Sequence, residues 1–206
     1  MSPVDPKVRM IHPIPGMRWT ELRDAATELA DHQWPLVPGT YQVSTDSPWL
    51  GKSCSTGLVP ITELSAEATT DLAQVWEWWT RRPYSVLLAC GRAIDALEVP
   101  TSLGRTAEDM LAALKLRGPV AVTRRTWLVF VESAGQTMPL VDVPAPVTWH
   151  SGGSFVPLPP TIDGDMPYYW RITPEDVDWR LPEATPTLDC LQQCWDTRET
   201  DTPIPV

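Results

Sequence analysis

Residues Tyr84–Ser133, "YSVLLACGRAIDALEVPTSLGRTAEDMLAALKLRGPVAVTRRTWLVFVES", decide the fold. Two runs rich in Val, Leu and Ile, Val86–Cys90 and Ala93–Val99, flank Gly91-Arg92, so two strands joined by a tight turn, a hairpin, are expected. A helix follows in "TAEDMLAALKLRGP". Thr106 and Asp109 have capping-box spacing, Ala107, Met110, Leu111 and Leu114 recur at helical spacing, and Gly118-Pro119 stops the run. "VAVT" and "TWLVFVES" are two further short strands. Strand, strand, helix, strand, strand is not a regular βαβ series, and it predicts an α+β fold, a mixed β-sheet with flanking helices.

Upstream, "TELRDAATELADHQWP" sets Leu22, Ala25, Ala26, Leu29 and Ala30 at helical spacing behind a Thr20 cap, with Pro35 as the stop. The segment from Trp34 to Pro60 is punctuated by Pro, Gly and Ser and predicts a long surface loop with little regular structure. "TTDLAQVWEWWTRRP" predicts a second helix from Thr69 or Thr70 to Pro83. Its apolar stripe is Leu72, Val75, Trp76 and Trp79, with Trp78 off it, and large aromatics at this spacing are expected in a core. Downstream, "WHSGGSFVPLPP" (Trp149–Pro160) places a polar turn ahead of a strand that ends at two prolines. From about Thr173 the chain turns acidic and Pro-rich, with a short helical candidate at Thr187–Trp195. The expected division is a domain over 1–180 and an acidic tail over 181–206, its last ten residues disordered.

The chain has 206 residues, enough for one well-buried domain. No apolar run is long enough for a signal peptide or a membrane span, so a soluble, cytoplasmic protein with no membrane partner is expected. Cys54, Cys90, Cys190 and Cys194 lack CxxC spacing and are expected as reduced thiols; Cys190 and Cys194 can share one helical face. The net charge of -10 argues against a surface built throughout to hold nucleic acid. Between Arg81 and Arg125, however, eight basic residues stand against four acidic ones. A basic middle within an acidic envelope permits a local phosphate site, and it is equally the pattern of a solvated face.

No phosphate loop, dinucleotide fingerprint, zinc set or G-x-S-x-G nucleophile is present. The order of the pieces is more informative: His32–Pro38, then Trp79, Pro83, Val86 and Gly91, then Gly152, Gly153, Pro159, Pro160, Gly164, Tyr169 and Trp170. In this order, over Thr20–Ile172, the chain resembles the N-terminal domain of bifunctional DNA primase-polymerases, the prim-pol branch of the archaeo-eukaryotic primase superfamily. The resemblance implies a primase-polymerase-like fold. It also implies template-directed nucleotidyl transfer, in which acidic residues hold two divalent cations, magnesium or manganese, and a histidine touches the phosphates.

The chain departs from that pattern. The family's first acidic pair falls on Leu97-Glu98-Val99-Pro100, which keeps one acid and puts proline in place of the other. The stretch matching the phosphate-contacting histidine is Thr123-Arg124-Arg125-Thr126-Trp127, where arginines can still hold phosphate. The later acid falls among Thr148, Trp149, His150 and Ser151, none of them acidic. Asp95 and Asp142 are the nearest carboxylates, and at a period of two Asp95 is out of phase with Glu98.

The candidate site is therefore Glu98 and Asp95 as catalytic acids, with Glu98 as metal ligand, and Arg124, Arg125, His150 and Ser151 toward a nucleotide. Each has a plain alternative: Glu98 as a solvated strand-end carboxylate, Arg124-Arg125 as a polar turn, His150 as a turn residue. The expected function is a prim-pol-like domain with a degenerate catalytic site and an accessory role in DNA replication. It would bind nucleoside triphosphate or DNA and act with other replication proteins. Two alternatives from other classes stay open: an active primase/polymerase drawing ligands from Asp95, Asp142 or Asp163, and a protein-interaction module without a nucleotide role.

Overall fold

The computed structural model describes residues 15–62, 67–133, 135 and 146–200. Helix α1 (Pro15–Asp31) leads to β1 (Leu36–Gly39), then α2 (Leu72–Arg81), β2 (Ser85–Ala89), β3 (Ile94–Pro100) and α3 (Thr101–Ala113). There follow β4 (Val120–Val122), β5 (Thr126–Glu132), β6 (Thr148–His150) and β7 (Phe155–Pro157). The chain continues through β8 (Ile162–Asp163), β9 (Met166–Pro167), β10 (Tyr169–Ile172) and α4 (Ala184–Thr200).

The strands form a five-stranded sheet in the order β10-β4-β5-β3-β6, a three-stranded sheet β1-β2-β7 and the pair β8-β9, all laddered antiparallel. The fold is α+β, as expected. It differs in that the strands divide between sheets rather than forming one. Both faces of the five-stranded sheet are covered, which is why β5 is apolar at every position from Trp127 to Val131 instead of alternating. Ile94, Ala96, Leu128 and Phe130 face α1, α2 and the three-stranded sheet, around Trp34 and Trp79. Leu97, Val99, Val129 and Val131 face Leu103 and Leu111 of α3 and Leu188 and Leu191 of α4. Trp34 and Trp170 meet Phe130 at ring-centroid distances of 5.1 and 5.7 Å.

Several expectations are corrected. Strands β2 and β3 are not a hairpin: they lie in different sheets, and the link is a corner at Gly91, where the Gly91 N–H donates to the Ile94 carbonyl. Gly91 has φ of 92°, and a Cβ there would lie 2.2 Å from the Gly152 Cα, so the two glycine turns interlock backbone to backbone. Helix α1 begins five residues before Thr20. Helix α2 begins at Leu72, because the Asp71 carboxylate accepts from the Ala73 N–H and caps it. That helix buries Val75 and Trp79 and packs Trp78 against the core, leaving Leu72 and Trp76 outward; the Trp76 ring is covered by the Arg23 guanidinium at 4.7 Å.

Helix α3 follows β3 without a loop, so Thr106 lies inside it and bonds back to the Ser102 carbonyl, while Leu114 is 53% exposed. The segment after Trp34 contains the fully buried strand β1. Helix α4 buries Leu188, Cys190, Leu191 and Cys194 beside α3. Residues 201–206 and Asp142 lie outside the described residues. No described helix is long and apolar enough to cross a membrane.

Candidate functional site

Strand β3 decides which acid reaches which face. Successive side chains alternate, so Glu98 shares a face with Ile94 and Ala96, and Asp95 shares the opposite face with Leu97 and Val99. Edge strand β6 pairs Ala96 with His150 and Leu97 with Trp149, which carries one partner to each acid. The His150 Nε2 and Glu98 Oε2 stand 2.8 Å apart. The Trp149 indole N–H donates to Asp95 Oδ2 at 3.1 Å, and Asp95 is 1% exposed. The structure therefore brings Glu98 and His150 together and separates Asp95 from both by the thickness of the sheet.

Thr126, opposite Pro100 on β5, completes the Glu98 environment. The hydrogen bond to His150, then the charge of that ring and the Thr126 side chain, outweigh partial burial and hold the Glu98 carboxyl below its ordinary range. His150, expected in a turn, is the last residue of a strand, and register rather than loop geometry aims it at the acid. Ser151 opens the turn after β6, where its carbonyl accepts from the Ser154 N–H at 2.9 Å.

Arg124 and Arg125 occupy the exposed turn between β4 and β5. The Thr123 hydroxyl pins this turn by accepting from the N–H groups of Arg125 (3.2 Å) and Thr126 (3.0 Å), and the Arg125 carbonyl accepts from the Thr101 N–H at the start of α3. Because Thr126 is the residue after Arg125, the arginines stand at the same end of the sheet as Glu98. Trp127, the last residue of the stretch matched to the family's histidine, is 6% exposed and fits against Gly104 of α3, where a Cβ would come within 2.5 Å of its ring.

Two further groups belong to this face. Burial, then the charges of Asp163 and Glu98, push the Tyr168 phenol up to about 12. Burial and the neighbouring Asp165 raise the Asp163 carboxyl. The sequence comparison singled out Tyr169 and Trp170, yet Tyr169 points to solvent and Trp170 joins the core. Tyr168 carries no pattern of its own and becomes visible only once β10 is placed.

Two divalent cations need several oxygen donors converging at fixed geometry. Glu98 is engaged by His150 and Thr126, Asp95 is buried on the other face, and Pro100 has no donor. Among the described residues no three His, Cys, Asp or Glu side chains form a set able to hold a cation.

Comparison with known proteins adds one match: residues 26–187 fit the family model for the bifunctional DNA primase/polymerase N-terminal domain. No curated protein and no solved structure matches the chain. The match spans most of the chain and covers both sheets, and the protein belongs to the bifunctional DNA primase/polymerase N-terminal domain family.

Proposed function

We propose that this domain keeps the prim-pol fold but has lost polymerase chemistry, and serves replication as a nucleotide- or nucleic-acid-binding accessory. The observation that carries the reading is the pairing on β3. The acid matched to the family's metal-binding pair is closed by an imidazole at 2.8 Å, and the other nearby acid is buried across the sheet. With Pro100 in the second acidic position, the Glu98–His150 pair stands where an open cation cradle would be. Arg124 and Arg125, exposed on a pinned turn at the same end, supply charge for phosphate without a metal.

The test is primer extension with dNTPs or NTPs and magnesium or manganese, beside titration with a fluorescent triphosphate. Absence of extension, with metal-independent binding lost in the Arg124→Ala, Arg125→Ala double variant, is the expected result. Extension abolished by Glu98→Ala would overturn the reading.

A second reading, an active nucleotidyltransferase with displaced ligands, draws support from Asp163, whose charge reaches Tyr168 together with that of Glu98. It requires extension that survives purification and disappears in Asp163→Asn.

A further inference from the structure

Helix α4 packs along α3, and the contact gathers three sulfur atoms. Cys190 and Cys194 lie one turn apart on α4, so both thiols leave the same face of the helix, and both are buried in the second core. The two thiols are hydrogen-bonded to each other. On α3, Met110 packs against the same core, and its Sδ lies 3.6 Å from the Cys194 Sγ. The spacing of the cysteines is visible in the sequence, but the thioether comes from another helix and joins them only when α4 closes over α3.

Two thiols this close invite a disulfide, and the helix opposes it. Residues four apart in an α-helix hold their Cβ atoms about 5–6 Å apart, whereas a disulfide needs about 3.5–4.5 Å. A bridging ion has the reach that a direct bond lacks, and a spacing of four residues is one at which a helix offers two side chains to one metal. With metal–sulfur bonds of about 2.3 Å, three sulfurs arranged trigonally around one ion stand about 4 Å from each other. The Cys194–Met110 pair needs only a small outward shift to reach that separation.

The donor set also selects the ion. Thiolates and a thioether are soft ligands that favour copper(I), while magnesium, manganese and calcium take oxygen donors. Structural zinc is held by four donors, and among the described residues the two thiols belong to no set of three His, Cys, Asp or Glu side chains. Copper(I) is content with two or three.

We propose that Cys190, Cys194 and Met110 form a three-sulfur binding site for one copper(I) ion, which ties α4 to α3 on the opposite side of the five-stranded sheet from Glu98. As the ion enters, each thiol gives its proton to solvent and binds as a thiolate, and the thioether binds through a lone pair. Two protons leave for one monovalent cation, and no electron is transferred.

The experiment uses the full chain carrying Cys54→Ser, which removes the exposed thiol, kept reduced and free of oxygen. Copper(I) is supplied as its coloured complex with bathocuproine disulfonate. Uptake is read as loss of that colour and as a thiolate-to-copper band in the near ultraviolet, and Tm is followed by circular dichroism with and without the metal. The further variants are Cys194→Ser, Met110→Leu, which conserves volume, and Cys90→Ala, a buried thiol of the other core.

Expected are uptake of one equivalent, a Tm that rises with copper because the folded chain is the form that binds, and no competition from excess magnesium or manganese. Cys194→Ser abolishes uptake, Met110→Leu folds and weakens it by about ten- to hundredfold, and Cys90→Ala leaves it unchanged. The proposal is overturned by no uptake, by uptake that persists undiminished in Cys194→Ser or Met110→Leu, or by uptake lost in Cys90→Ala. A Tm that falls with copper would also overturn it, since the metal would then be capturing thiols of the unfolded chain.

Discussion

At the scale of the residue, Glu98 ties stability to pH. Its folded carboxyl lies below the ordinary value of 4.5, so its contribution is full above the unfolded value and is lost as pH falls through the depressed folded one. Glu98→Gln is expected to flatten the acid limb of a stability profile run from about pH 7 to about pH 3; an unchanged limb would show that the pair with His150 carries no linkage. Thr161 gives a second case. Fully buried, its hydroxyl accepts from the Val86 N–H at 2.9 Å and donates to the Val86 carbonyl at 3.1 Å. Thr161→Val strands that N–H and is expected to cost about 1–3 kcal/mol in denaturant unfolding. Glu98 was visible because the resemblance places the family's first acidic pair on Leu97-Glu98-Val99-Pro100. The sequence left His150 ambiguous, since its neighbours Ser151 and the glycines signal a turn, and the register of an edge strand depends on long-range pairing.

At the scale of the element, α3 depends on a glycine that helix propensity alone would replace. Gly104→Ala gains about 1 kcal/mol of intrinsic helix preference, but its Cβ enters the Trp127 ring at 2.5 Å, an overpacking worth about 1–3 kcal/mol. The expected net is a lower Tm, restored in part when Trp127→Phe is added; a higher Tm in the single variant would mean that the ring can retreat at no cost. The strands of Val86–Cys90, Ala93–Val99 and "TWLVFVES" were legible because apolar runs of that length have few other homes. Half of the α2 stripe holds: Leu72, Val75, Trp76 and Trp79 satisfy helical spacing, but the helix buries Val75 and Trp79 and turns Trp78 rather than Trp76 toward the core, a rotation set by what it packs on, chiefly α1. Thr106 misled in the same way, because β3 passes directly into α3 and the expected cap became an interior residue.

At the scale of the whole molecule, the five-stranded sheet is a shared wall between two cores, and the thiols report on both. Cys90 lies in the first core, Cys190 and Cys194 in the second. Burial, then Asp95, pushes the Cys90 thiol up to about 12, and burial, then Cys194, pushes Cys190 up to about 11. Of the four cysteines only Cys54 is exposed, so one fast and three slow thiols are expected with an aromatic disulfide reagent. If the wall makes the cores one cooperative unit, Cys90, Cys190 and Cys194 react at a common rate as denaturant is raised; a faster Cys190–Cys194 pair would mean that α4 opens alone.

The glycine interlock between the β2–β3 corner and the turn after β6 marks how late the edges close. Strands β6, β7 and β10 each cover an edge of β3, β2 or β4, and α4 seals α3, so the four sealing pieces all come after residue 147. During synthesis the residues before Thr148 emerge with α1, α2 and α3 to cover their strands but with the edges of β2, β3 and β4 unpaired. Until the segment from Thr148 onward is made, this nascent chain presents open edges to its neighbours, which a chaperone would have to shield.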